Sequence, residues 1–461
     1  MTERNIPRIV IAATQSGSGK TTIVTGLLAA LRQRGLKSQP YKIGPDYIDP
    51  GYHELAAGTK GHNLDTWLVP KDKIQSIFYQ SAKDADIAVI EGVMGLYDGG
   101  KNGISSTASL AKLLKAPVIL VIDVKSMGDS AAAIALGFKQ YDPDVWFAGV
   151  ILNRVGSKSH QEMIESALKK IGIEVLGVVF RDEGLHMPER HLGLVPTQET
   201  DSALFVERLG KMMDEKLAIE RIQQIAQLAP KLVVDEMKKQ QVQVDKGVTI
   251  AVAKDEAFSF YYPASLAVLE QLGANIVYFS PLEDKELPAA DGIILGGGFP
   301  EVFAQRLENN IEFRKSLKKA AEQKIPIYAE CGGFMYLTNY LIDFSGDKHE
   351  MVGIIPCGCR MNNKLQTVGY VEAAMKQDTL LGKAGTVLRG HEFHFSSQDT
   401  VTPKDFSWAF TFKKNRNQEI YAGGFFRENL LASYLHLHFA GNIEAAKCFI
   451  EACQKHKERL L

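Results

Sequence analysis

No stretch of the 461 residues reaches the about 20 consecutive apolar positions that a membrane-spanning helix needs, which argues against a helical membrane protein. Neither sign of charge prevails. The 53 Lys and Arg face 54 Asp and Glu, for a formal net charge of −1, and such a chain exerts no long-range pull on nucleic acid or anionic lipid. Neither of these is expected as a partner, and any charged ligand must be met by local groups. Cysteine is scarce: Cys331, Cys357, Cys359, Cys448 and Cys453 are too few and too clustered for a disulfide framework, so free thiols are expected, one of them a candidate for reactivity. The opening MTERNIPRIVIAA has too short an apolar run and the wrong flank for a signal peptide, which together with the cysteine usage leads to a cytoplasmic expectation. Repeats and low-complexity tracts are lacking. What remains is 45% apolar and 23% charged, ordinary for a globular chain and incompatible with intrinsic disorder. The length suggests about two to four domains.

RIVIAA (8–13), IAVIEG (87–92), PVILVIDV (117–124) and WFAGVILNRV (146–155) are continuous apolar runs separated by segments of helical spacing. Strands buried on both faces and alternating with helices predict a mainly parallel α/β sheet. From Asp201 the character changes to LFVERLGKMMDEKLAIERIQQIAQLAP, without strand signal, which reads as a helical connector over 201–245. A second strand series, GVTIAVAKDEAF (247–258), ANIVYFS (274–280), DGIILGGG (291–298) and IPIYAE (325–330), then begins. The expected organisation is an α/β domain over 1–200, the connector, and a second α/β domain over 246–461, with the boundary near residue 240.

Thr14–Thr21 (TQSGSGKT) follows a strand, opens a helix and matches GxxxxGK[ST] except that Thr14 replaces the first Gly. Small residues let the backbone N–H groups of Gly17, Ser18 and Gly19 curl around phosphate oxygens at a helix N-terminus. Lys20 then reaches the β- and γ-phosphates, Thr21 offers a hydroxyl to Mg²⁺, and Thr22 continues the ATP-binding turn. Glu91, at the end of a strand, and Asp46, in the loop YKIGPDYIDPGYH, are expected to complete the metal site. Asp46 and Asp49, both in this Pro/Gly-rich loop, also suit a turn. Lys42 can pair with a phosphoryl group or a substrate carboxylate, and Tyr47 and Asp49 are grouped with it as substrate contacts. Asn153, closing a strand, is a candidate for a nucleobase edge.

Cys331 sits in YAECGG, between an apolar run and a segment of helical spacing. A residue on such a sharp turn is exposed and meets the positive end of a helix, both of which favour a thiolate. SYLHLH (433–438) supplies two histidines, either of which could be its base. GGGFPE (296–301) supplies a second glycine turn, so that Gly297, Gly298 and Gly332 can direct N–H groups at an oxyanion. A metal reading of Cys357 and Cys359 with His391 and His394 matches no standard zinc spacing.

TQSGSGKTT (14–22), KIGPDYIDPGYH (42–53), EGVMGLYDG (91–99), PERHLGLVPTQE (188–199), GGGFPE (296–301), AECGG (329–333), RGHEFHFS (389–396) and SYLHLHF (433–439) together resemble the cobyrinic acid a,c-diamide synthases. These are glutamine-dependent amidoligases of cobalamin biosynthesis, and the resemblance covers nearly the whole chain. It implies a P-loop synthetase domain similar to dethiobiotin synthetase, joined to a class I glutamine amidotransferase domain. It also implies ATP and L-glutamine as co-substrates, Mg²⁺, cobyrinate as the corrinoid substrate, acyl-phosphate chemistry, and pairing of two copies through the nucleotide-binding domain. Cys331 then matches the nucleophile and His436 its base, while His438 stands where many class I amidotransferases carry a Glu, so that the group orienting His436 is unassigned. Arg190, His191 and His394 are open to either contact with a carboxylate-rich macrocycle or structural roles.

Three other readings compete. The same reaction on hydrogenobyrinate or nickel sirohydrochlorin is inseparable by motif. A partitioning ATPase would carry Lys where this chain has Gln15 and would lack the cysteine turn. A stand-alone glutaminase would leave the phosphate loop without a role.

Overall fold

The computed structural model describes residues 2–100, 103–181, 189–190, 193–194, 202–234, 247–399 and 406–460. The chain divides into two compact units, Met1–Met237 and Lys238–Leu461. Among the described residues no helix is long and apolar enough to cross a membrane.

The first unit is built on seven strands: β1 (Arg8–Ala13), β2 (Ser38–Ile43), β3 (His62–Leu64), β4 (Ile87–Glu91), β5 (Val118–Asp123), β6 (Phe147–Val155) and β7 (Val175–Phe180). They lie in the order β3-β2-β4-β1-β5-β6-β7, and every pairing is parallel. β1, β2 and β4 are buried at every position, and β1 and β4 accordingly read as apolar runs rather than alternating ones, whereas β2, SQPYKI, does not. Helix α1 (Lys20–Gln33) starts directly after Gly19, whose φ of 87° is open to glycine at little cost. α2 (Asp49–Ala57) follows β2. β1, β2 and β4 all end toward the phosphate loop, the end at which parallel sheets bind ligands.

The segment expected as a connector is, over residues 202–227, part of this unit's core. Its helices α3 (Ser202–Lys216) and α4 (Ile219–Gln227) bury Val206, Leu209, Met213, Ile219 and Ile222 in one cluster with Leu27, Leu28 and Ala29 of α1. Gly26 of α1 faces Met213 and Leu209 so closely that a Cβ there would collide with the Met213 side chain.

In the second unit, β8 (Thr249–Ala253), β9 (Asn275–Phe279), β10 (Gly292–Leu295) and β11 (Ile327–Glu330) begin a ten-stranded sheet. It continues with β12 (Thr367–Met375), β13 (Val387–His394), β14 (Trp408–Lys414), β15 (Ile420–Arg427), β16 (Leu430–Ser433) and β17 (His436–Leu437). The order is β9-β8-β10-β11-β16-β15-β14-β12-β13-β17, parallel as far as β16 and antiparallel beyond it. β16 and β17 are separated by only Tyr434 and Leu435 in the chain, yet four strands lie between them in the sheet. The antiparallel half must therefore curl back, and it delivers β17 beside the end of β11. A short helix, α5 (Gly332–Leu337), leaves β11 through Cys331.

Candidate functional sites

In the first unit the phosphate loop is braced from within and from β6. The Ser18 hydroxyl donates to the Gln15 carbonyl at 2.9 Å, and Gly17 adopts a φ of 75°. Asn153 Nδ2 donates to the Ser18 carbonyl at 2.8 Å and packs where a Cβ on Gly19 would collide with it. The side chain expected at a nucleobase edge is thus engaged in holding the loop. Thr22 lies in the first turn of α1. The buried Lys20 ammonium donates to the Met94 carbonyl at 2.6 Å and reaches the Gln15 carbonyl at 3.5 Å. Burial lowers its pKa to about 8, with Glu91 the main counterweight. An anionic phosphate oxygen in the loop would offset that desolvation.

Beside the loop, four predicted residues converge. The Thr21 hydroxyl donates to Glu91 Oε1 at 2.8 Å and lies 3.3 Å from Asp49 Oδ2. Lys42 Nζ bridges Glu91 Oε1 and Asp49 Oδ2, each at 2.6 Å. Burial alone would push Glu91 up, but Lys42 and His53 outweigh it and hold the carboxylate below its usual range. Asp49 goes the other way, to about 7, through burial and the neighbouring Asp46. Asp46 itself caps the turn, its Oδ1 accepting from the N–H of Ile48 at 2.7 Å and of Asp49 at 3.3 Å. Sequence allowed a turn role to both and favoured Asp46 over Asp49 for the metal; in the structure Asp46 caps the turn and Asp49 makes the direct contact with Thr21. Tyr47 lies between them, half-buried. His53 was not foreseen: its Nε2 is 2.7 Å from Glu91 Oε2, and both side chains are fully buried.

Glu91 and Asp49 already hold one cation, the Lys42 ammonium, and the Thr21 hydroxyl contacts both carboxylates, so these three hard oxygen donors fit Mg²⁺. Among the described residues no group of three or more His, Cys, Asp or Glu could hold a metal by itself, so phosphate and water oxygens would complete the coordination. The Cys357–His394 grouping likewise forms no such cluster.

In the second unit Cys331 occupies the strand-to-helix turn at φ 44° and ψ −99°, a region that non-glycine residues hold only where surroundings enforce it. Its N–H donates to the Ser433 carbonyl at 2.7 Å, tying the end of β11 to β16. The thiol is buried rather than exposed. Burial, then the charges of Glu301 and Glu330, push its pKa up, against a single lowering contact from the Gly332 N–H. The expectation of an exposed, favoured thiolate is therefore corrected: α5 is six residues long, and its end does not outweigh desolvation beside Glu301, Glu330 and Glu392.

The three glycines surround this turn. A Cβ on Gly332 would lie 3.0 Å from the Gly298 nitrogen, and one on Gly297 would lie 2.6 Å from His436 Cε1. Gly298 has φ 157°, and a Cβ there would collide with the Ala257 carbonyl. His436 is buried, with Nδ1 3.3 Å from Glu330 Oε2. Its ring stacks on His391, its cross-strand partner, at a centroid distance of 4.9 Å and 16°. Tyr262 OH lies 2.8 Å from His391 Nε2 and the Tyr262 ring stacks on His438 at 4.8 Å. His394 is held by packing, stacked on Tyr434 at 3.8 Å with Nδ1 2.7 Å from the Ser396 carbonyl. Arg190 contributes backbone to a short antiparallel pair with Gly193, and His191 lies outside the described residues. Glu330 and Tyr262 were missed from sequence, and His391 was raised there only for a metal, although strand alternation places Tyr328 and Glu330 on one face, immediately before Cys331.

Residues 9–195 match a family model described as the CobQ/CobB/MinD/ParA nucleotide binding domain, and residues 249–443 one described as the CobB/CobQ-like glutamine amidotransferase domain. A nucleotide-binding α/β unit and a glutamine amidotransferase unit on one chain define a glutamine-dependent amidoligase. A relative from Dehalococcoides mccartyi strain CBDB1, named cobyrinate a,c-diamide synthase, is 46% identical over 458 residues, covering 97% of this chain and 98% of its own length. Relatives of the same name from Listeria monocytogenes serotype 4b and Priestia megaterium are 45% and 40% identical, covering 95% and 98% of this chain and 97% and 98% of their own lengths. The chain belongs to the cobyrinate a,c-diamide synthase family.

Proposed function

We propose that the protein amidates the a and c side-chain carboxylates of cobyrinate, using ATP to activate each carboxylate and glutamine as the nitrogen source. The full-length likeness to relatives that carry this name is the observation that supports the substrate. The convergence of Cys331, His436 and Glu330 supports the nitrogen chemistry.

A carboxylate is a poor electrophile and oxide a poor leaving group, so amidation requires an acyl phosphate. In the first unit Lys20 and the N–H groups of Gly17, Ser18 and Gly19 hold the nucleotide phosphates while the substrate carboxylate attacks the γ-phosphorus and ADP departs. Thr21, Glu91 and Asp49 are the residues that would hold Mg²⁺, which supplies neutralisation of phosphate charge. Lys42, with Tyr47 nearby, orients the carboxylate. Ammonia then attacks the acyl carbon and phosphate leaves.

In the second unit the buried Cys331 thiol needs a base. His436 accepts its proton as sulfur attacks the glutamine amide carbon, then returns it to the departing ammonia. N–H groups around Gly297, Gly298 and Gly332 hold the oxyanion, and water releases glutamate from the thioester. The test is product analysis by mass spectrometry after incubation with cobyrinate, ATP, Mg²⁺ and glutamine. The expected product has amides in place of two carboxylates. Turnover of hydrogenobyrinate or nickel sirohydrochlorin without turnover of cobyrinate would overturn the substrate assignment.

A further inference from the structure

His436 lacks the partner that a glutamate two residues downstream would provide, because that position is His438. A histidine cannot offset the positive charge of an imidazolium, and this one stacks on Tyr262 at 4.8 Å. We propose that Glu330, the residue immediately before the nucleophile, is the positioning carboxylate for His436, a reading that rests on the Cys331–His436 chemistry proposed above.

The geometry divides the two oxygens of Glu330 between two tasks. Oε1 accepts from the Tyr328 hydroxyl at 2.6 Å and from the Leu437 N–H at 3.1 Å. Those two neutral donors fix the carboxylate and leave Oε2 directed at His436 Nδ1, 3.3 Å away. A carboxylate at Nδ1 keeps the proton on that nitrogen, so that Nε2 is the bare acceptor a thiol needs. The arrangement follows from the fold. β11 pairs with β16 in a register that sets Glu330 opposite Ser433, and the chain after Ser433 turns back so that His436 and Leu437 arrive together over the carboxylate. Leu437 thus carries both the backbone donor that fixes Glu330 and the peptide that places His436.

The ring plane is set separately. His391 covers one face at 4.9 Å, and Gly297 closes on the Cε1 edge. Burial holds His391 well below its ordinary pKa, so a neutral ring lies against His436 and adds no repulsion when His436 takes a proton. His391 and Gly297 thereby fix tilt, and Glu330 fixes rotation about the ring normal. Glu330 also raises the pKa of Cys331, behind burial and Glu301. Its charge thus opposes a solitary thiolate while favouring transfer of the proton to His436.

The test compares Glu330→Gln and Glu330→Asp with wild type in the intact chain, reading glutamine hydrolysis, thermal melting and ammonium-dependent amidation. Gln retains an oxygen for Tyr328 and Leu437 but loses the charge, so kcat for glutamine is expected to fall on the order of 10²- to 10⁴-fold. KM for glutamine and ammonium-dependent amidation are expected to stay within about twofold, because Glu330 is assigned to His436 and not to substrate. Asp, charged but too short to reach Nδ1 as Glu does, should recover about tenfold over Gln and stay below wild type. Equal losses in Gln and Asp, or a rise in KM with kcat unchanged, would overturn the proposal. If the Gln variant fails to melt cooperatively, the Asp variant decides: it must lose kcat at unchanged KM, and a wild-type kcat would overturn the assignment. Cys331→Ala separates this from the underlying reading. If that variant still hydrolyses glutamine, the Cys331–His436 chemistry fails; if only Glu330→Gln remains fully active, Glu330 alone is misassigned.

Discussion

Cys331 combines burial, a positive φ and three carboxylates, Glu301, Glu330 and Glu392, that raise its pKa. A raised thiol pKa leaves the group protonated near neutral pH, and the thiolate fraction then grows about tenfold per pH unit until the pKa is passed. Inactivation of the resting protein by iodoacetamide is therefore expected to be slower than alkylation of free cysteine at about pH 7. Its rate should still be climbing at about pH 9, beyond the free-cysteine pKa of about 8.5. A rate that levels off below about pH 8 would contradict the raised pKa. The contrast with the helix-end expectation shows what single residues disclose. Gly332 and Gly333 mark the turn in the sequence, but Glu301 and the depth of burial enter only with the fold. Lys20 is the opposite case. The loop that carries it is specified within eight contiguous residues and so was legible, although its contacts with Met94 and Glu91 come from outside that stretch. Asp46 and Asp49 were legible as a pair but not individually, because only the folded loop decides which carboxylate meets the N–H groups of Ile48 and Asp49 and which meets the Thr21 hydroxyl.

Elements were legible where periodicity stayed local. β1, β4, β5 and β6 of the first unit read as apolar runs because both faces are covered, whereas the equally buried β2, SQPYKI, did not. The strands after residue 338 did not, because they alternate: Thr367–Met375 has buried and half-exposed positions mixed along its length, and glycine at position 369 interrupts it. α3 illustrates a second limit. Its helical spacing was evident, but spacing identifies an apolar face and not the element that covers it. Here the cover is α1, and Met213 is fully buried against it beside Gly26. Met213→Ala removes a long side chain from that contact and should cost about 2–5 kcal/mol of stability. It would be read as a lower urea midpoint for the transition that includes the first unit. If α3 were only a connector, the same substitution would cost less than about 0.5 kcal/mol, as an ordinary surface change does.

At the scale of the whole molecule, a net charge of −1 gives an anionic ligand no general attraction, so in the proposed reaction capture would rest on Lys20, Lys42 and the phosphate loop. The two units, Met1–Met237 and Lys238–Leu461, also divide the proposed chemistry so that each half can be disabled alone. Lys20→Ala removes the cation of the phosphate loop, and amidation should fall about 10²-fold or more with either nitrogen source while glutamine hydrolysis continues. Cys331→Ala should do the reverse, abolishing use of glutamine and sparing use of ammonium. An equimolar mixture of the two variants then asks how nitrogen travels. One variant releases ammonia, the other holds an intact synthetase half, and ammonia entering water near neutral pH becomes mostly ammonium, which has no lone pair with which to attack. If nitrogen is handed over within one chain, the mixture should amidate no faster than the Cys331→Ala protein supplied with the same amount of free ammonium. A mixture that matches the wild-type rate would show that ammonia passes through solvent. The joining of the two units would then confer co-production rather than protected delivery.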